Sequence, residues 1–320
     1  MKKLIGWSVV AAGLLVSVTA QAEVWPSKIV KAVIPFGAGS ATDVVPRMVF
    51  EKVAIELGQP ITVENRAGAG GTLGSTSVAR AEPDGYTILA HSAAHTIAPS
   101  IFPDMKYDPA KDFSSALMIG SSGNVMITSP MKPWKTIQEF VAAAKAKDAQ
   151  ITFGTVGPGS AVHVSAEKFR LAAGFEATHI PYRGGPEVIA DILGGRIDFY
   201  FCPLSTALPL IKSGQVRALV ISSATRWPDL PDVPTPTEAG FKDGETSNWF
   251  GIFMPAKTPR DIVEKFNAAG RKVLATPEMQ ASLARLGVEL TSMTPGQMDE
   301  FVVREMAANA ALVKAANIKQ

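Results

Sequence analysis

Two glycine-rich segments of this chain have the composition to hold an anion on backbone N–H groups. The first is PFGAGSATD, Pro35 to Asp43, after the strand-like run KIVKAVI. The second is FGTVGPGSAVH, Phe153 to His163, after Ile151-Thr152. Each opens a helix-like run. A helix N-terminus carries unpaired N–H groups and about half a positive charge. Glycine lets a ligand come close to that backbone. Two such loops in separate α/β halves point to a carboxylate or similar anion clamped between two lobes.

Other residue types weigh less. Gly37-x-Gly39 matches the first half of a dinucleotide fingerprint, but Thr42 stands where the third glycine belongs. ENRAGAGGTLG, Glu64 to Gly74, is a third Gly-rich turn before a helix and lacks a phosphate-loop lysine. His91 and His95 have the spacing of two metal ligands on one helix face, with no glutamate between them. His163 can reach a ligand or brace a neighbouring loop, and His179 falls in a strand-like run. No GxSxG elbow and no pair of carboxylates flanks either loop, so no nucleophilic or acid–base set emerges. No cofactor and no metal is expected.

The elements that must position these loops alternate between strand and helix. Strands are expected at Ile29–Ile34, Ile61–Glu64, Thr87–Ala90, Ala116–Ile119, Val125–Ser129, Ile151–Phe153, Ala177–Ile180, Phe199–Phe201, Ala218–Ser222 and Phe250–Met254. Between them lie helical patterns such as Ala41–Leu57, Ala161–Ala173 and Gly185–Leu193, with Arg260–Leu274 and Pro295 to about Ala316 towards the end. This alternation predicts largely parallel sheets covered by helices. Loop-like zones at Phe102–Phe113 and Arg226–Ser247 bracket a central block. The expected division is residues 23–123 and 226–320 in a first, discontinuous lobe and 124–225 in a second. Two nearby crossings would then act as a hinge.

Composition restricts the partners. MKKLIGWSVVAAGLLVSVTAQA reads as a secretion signal, residues 1–22, with cleavage expected after Ala22 and an exported mature chain. Removing Lys2 and Lys3 from the 31 basic residues leaves 29 against 29 acidic ones. A net charge near zero gives no support for nucleic acid or an anionic membrane as partner. The one cysteine, Cys202, cannot form an internal disulfide, and its Phe/Tyr neighbours favour a buried apolar role.

Several stretches together resemble the substrate-binding proteins of tripartite tricarboxylate transporters, the Bug or TctC-like family. They are VIPFGAGSATDVVPR, VENRAGAGGTLGSTSVARAEPDGYT, YDPAKDF, FGTVGPGSAVH, HIPYRGGPEVIADILGGRIDF, LPDVPTPTEAG and WFGIFMPAKTP, in family order over nearly the whole mature chain. The resemblance implies a type II periplasmic-binding-protein fold, two Rossmann-like lobes joined by a two-crossing hinge, without catalysis. It implies a small carboxylate ligand held by the two Gly loops. The first loop contributes Phe36, Gly37, Ala38, Gly39, Ser40, Thr42 and Asp43. The second contributes Thr155, Val156, Gly157, Gly159 and Ser160, with His163 beside it. A monomer that serves the integral membrane subunits of an ion-driven transporter is expected. A sensor for a signalling receptor and an exported enzyme on the same scaffold are the alternatives. The chain departs from the family at Ser40, where a second glycine is usual. It departs again at Cys202, where many members have an aspartate. With that acid missing, the ligand expected is an uncharged or aromatic/aliphatic carboxylate body rather than an amino acid. Cys202 would line or back the cleft, with Phe36 and Phe201 as an apolar wall that Trp249 either joins or backs by packing the hinge.

Overall fold

The computed structural model describes residues 25–318; the expected signal peptide lies outside them. The chain begins with β1 (Val30–Ile34), α1 (Ala41–Leu57), β2 (Ile61–Asn65), α2 (Thr72–Ala79), β3 (Thr87–Ser92), α3 (Ala94–Ile101) and β4 (Phe113–Ser122). It continues with β5 (Asn124–Thr128), α4 (Ile137–Ala144), β6 (Thr152–Thr155), α5 (Ala161–Ala173), β7 (Thr178–Pro181), α6 (Gly185–Leu193), β8 (Tyr200–Pro203), α7 (Leu204–Lys212) and β9 (Arg217–Ile221). It ends with β10 (Asn248–Pro255), α8 (Arg260–Leu274), α9 (Pro277–Arg285), β11 (Glu289–Leu290) and α10 (Pro295–Ala315).

These strands build two α/β lobes. The larger sheet has the order β11-β4-β10-β3-β1-β2. The smaller lobe holds β8-β5-β9 and the pair β6-β7, joined by a parallel bridge from Phe153 to Phe199. Helices cover both faces, because each sheet buries a branched and aromatic core on either side. The expectation of largely parallel sheets needs correction. β1 runs parallel to β2 and β3, but β10 is antiparallel to β3 and β4, and β5 is antiparallel to β8 and β9. The strands that carry the chain between the sheets enter each one against its parallel set.

The first crossing is a single residue, Gly123, between β4 and β5. The second falls later than expected. Trp227, Leu230 and Val233 sit in the core against β5 and β8, and Phe241 packs in the core around Phe169 and Phe201. Thr246 N–H donates to Ser222 O (2.7 Å), and Ser222 Oγ accepts from Asn124 N–H (2.9 Å). Apolar anchors in WPDLPDVPTPTEAGF thus keep this loop on the smaller sheet up to Thr246, although its Pro and Asp content reads as a linker. Residues 226–246 pack with the second lobe, not the first.

Two helices lie close to their expected bounds because their caps are local. Ser160 accepts from His163 N–H at the start of α5. Thr294 and Gln297 form a reciprocal capping box at the start of α10. Among the described residues no helix is long and apolar enough to cross a membrane.

Candidate functional site

The first glycine loop turns sharply between β1 and α1. Asp43, in the first turn of α1, reaches back to hold it. Gly39 N–H donates to Asp43 Oδ2 (3.0 Å), while Arg47 Nη2 (2.6 Å) and Asn65 Nδ2 (2.9 Å) donate to Oδ1. Asn65 Nδ2 also donates to Phe36 O (2.9 Å). Gly39 has φ +80°, a backbone region that L side chains rarely adopt. Burial pushes the Asp43 carboxyl up, but its bonds to Arg47, Asn65 and Gly39 outweigh this and hold it below the usual carboxylate range. Asp43 is therefore a charged clasp for the loop, with its lone pairs already in use.

The second loop is braced in a different way. Gly157 N–H donates to Thr155 Oγ1 (3.1 Å), which lies 2.6 Å from His179 Nε2. Gly159 N–H donates to His163 Nδ1 (3.2 Å). The His163 and His179 rings stack with centroids 4.0 Å apart, and Phe153 stacks on His179. Burial and the neighbouring His179 push His163 down to about 3, and burial lowers His179 as well. His163 is a neutral prop under the loop and is almost wholly buried.

Several N–H groups expected to hold the anion are thus already occupied. Gly39, Gly157 and Gly159 donate within their loops, and the N–H groups of Ser40 and Ser160 donate to Gly37 O and Gly157 O. The N–H groups of Gly37, Ala38, Ala41 and Thr42 have no partner among the described residues, and neither do those of Val156, Ala161 and Val162. They cluster on the first residues of α1 and α5 and on the loops just before them. The Ser40 hydroxyl is buried and also unpartnered. Ala41, Ala161 and Val162 escape a reading that follows glycine, because an N–H at the start of a helix is available whatever its side chain.

Contacts connect the two loops. A Cβ on Gly159 would sit 2.6 Å from Ile101 Cδ1, at the end of α3 in the other lobe. The adjacent Phe102 lies against Gly70, and Gly71 lies against Phe36. The AGAGG turn and the end of α3 therefore fill the ground between the loops. His91 and His95 lie behind this ground, on β3 and α3 rather than on one helix face. Their ring centroids are 5.1 Å apart, and burial holds both far below the usual histidine range. Among the described residues no group of three or more metal-binding side chains exists.

The apolar wall expected at the cleft reduces to Phe36. Phe201 lies in the core of the smaller lobe, and Trp249 packs edge-on against Phe301. Cys202 is 0% exposed among Val125, Val162 and Val188, and burial drives its thiol well above the usual range. It backs the sheet and does not line the cleft, so its place in the ligand wall is withdrawn. The reasoning that used it to favour an uncharged ligand body falls with it. Cys202→Ser is expected to leave solute affinity within about twofold. Cys202→Asp is expected to cost about 3 kcal/mol of stability or more, since it buries an unpaired charge. Denaturant unfolding and binding titrations check both.

Two α/β lobes crossed twice by the chain, with open helix N-termini on loops of both, define a solute-binding protein of the periplasmic-binding-protein type. The chain belongs to the tripartite tricarboxylate transporter family receptors, whose profile matches residues 45–318. It is similar to the periplasmic binding protein BugD, 34% identical with a TM-score of 0.85 over 92% of this chain and 100% of that one. Rpa4515 of R. palustris, a structure with adipate, is 29% identical with a TM-score of 0.87 over 92% and 100%. MatC of Rhodopseudomonas palustris, with bound malate, is 31% identical with a TM-score of 0.83 over 90% and 100%.

Proposed function

We propose that this protein captures a small carboxylate between its lobes and delivers it to the integral membrane subunits of a secondary tripartite transporter. The observation that carries this reading is the set of unpartnered N–H groups at the starts of α1 and α5, beside the unpartnered Ser40 hydroxyl. Such donors suit an oxyanion, and the two helix dipoles add to the attraction. The adipate and malate held by two relatives support the ligand class. In this reading the lobes exchange at Gly123 and near Ser247 and close about those points. The receptor acts as a monomer, exported by a signal cleaved after Ala22.

A thermal-shift screen with adipate, malate, citrate and benzoate tests the capture step. At a hundred times Kd a true ligand stabilises the native state by about 2.7 kcal/mol, which raises Tm by several degrees. Shifts with neutral sugars and none with any carboxylate would sink the assignment. Uptake of the labelled ligand by cells with and without the receptor tests delivery.

A further inference from the structure

A second space lies behind the glycine loops and touches the second of them only at Ala161, the first residue of α5. It is a cavity of about 600 Å³ at the hinge, with walls from both lobes. α3 and α10 contribute from the larger lobe, and α5 and the loop after β9 contribute from the smaller. Lys168 on α5 and Glu305 on α10 both line it. These opposite charges do not pair with each other, and Glu305 has no ion pair among the described residues. Lys168 Nζ donates to Glu245 O (2.6 Å), which uses one of its three N–H donors.

The cavity also holds the polar edge of Trp249, which is 2% exposed: its Nε1–H is buried without a close hydrogen bond and faces the Glu305 carboxylate. Beside it, on the crossing strands, the Oδ1 atoms of Asn124 and Asn248 are buried and unpartnered too. Buried polar atoms without partners are uncommon and mark places where water or a ligand belongs. Trp227, Trp249 and Phe301 give the same space an aromatic wall.

We propose that this hinge cavity is a second ligand site, taking a small amino-carboxylate zwitterion. Its ammonium pairs with Glu305, its carboxylate pairs with Lys168, and its body lies on the aromatic wall. A simple anion would meet Glu305 and a simple cation would meet Lys168. Glu245 and Glu289 line the space as well, so Lys168 is the one basic anchor for a carboxylate among the lining residues, and an ammonium belongs on the acidic side. Burial pushes the Glu305 carboxyl up and outweighs the Trp249 N–H, Lys168 and Arg304, which pull it only part of the way back; an incoming ammonium would add to that pull. The two charges stand on different lobes, so an occupant fixes the lobes relative to one another. The site does not depend on what the glycine loops hold.

Three six-carbon probes separate the possibilities: 6-aminohexanoate, adipate and hexane-1,6-diamine. Calorimetric titration of the mature protein is expected to show 6-aminohexanoate binding at this site. Lys168→Met and Glu305→Gln should each weaken it at least tenfold, with Tm unchanged. The site is overturned if 6-aminohexanoate fails to bind, or if the diamine binds as tightly. Indifference to both substitutions also overturns it. Weakening by Ala41→Pro would put the zwitterion on the first glycine loop and overturn it as well.

Discussion

The Ala41→Pro/Ala161→Pro double variant is expected to bind its carboxylate at least a hundredfold more weakly, at an unchanged melting temperature. Both residues are the first of their helices, where proline is tolerated because the N–H it lacks makes no helical bond. The preceding residues also suit proline. Ser40 has φ −69° and ψ 158°, and Ser160 has φ −64° and ψ 153°. Each substitution removes one unpartnered N–H and leaves the glycine geometry intact. A hydrogen bond to a charged group is worth about 1.5–3 kcal/mol. Two in separate loops add to about 3 kcal/mol or more, and each 1.4 kcal/mol is tenfold. Native affinity in the folded double variant would show that the helix starts do not touch the ligand.

Asp43→Ala is expected to do more harm to the protein itself. The side chain is only 5% exposed, and it holds Gly39, Arg47 and Asn65 at once. Its loss leaves the Gly39 N–H without an acceptor and takes one of two bonds from each of Arg47 Nη2 and Asn65 Nδ2, which costs about 2–3 kcal/mol of stability. The first loop would then be free to move, and solute affinity should fall at least tenfold. Acid reveals the same clasp. Because the folded carboxyl sits below its usual range, its stabilisation is full above the unfolded pKa of about 4 and is lost as pH falls through the folded value. Urea unfolding of both proteins should show a gap that is wide at neutral pH and closes in acid. A gap that stays constant with pH would mean that Asp43 acts through packing alone.

The sequence carried the loops and most elements, because glycine, Ser160 as cap and the apolar periods act over a few residues. α5, α6 and α8 begin and end at the expected residues. α3 was not legible: Pro99 lies inside AHTIAPSI and the residue before it offers no capping side chain. The late second crossing was hidden because Trp227 and Leu230 find their core only in three dimensions. Cys202 misled for the same reason, since one residue in a strand does not reveal which face of the sheet it joins. Which N–H groups stay open was invisible as well. It depends on partners as distant as His179, which holds Thr155 in place for Gly157.

All four histidines of the chain are held below their usual range by burial. The imidazoles around the loops therefore stay neutral further into acid than a free histidine does. Below about 6.5 the unfolded chain takes up protons that the folded chain refuses, so mild acid weakens folding. Acid therefore reaches such a receptor first through the balance between folded and unfolded chains, before an imidazole at its loops takes up charge.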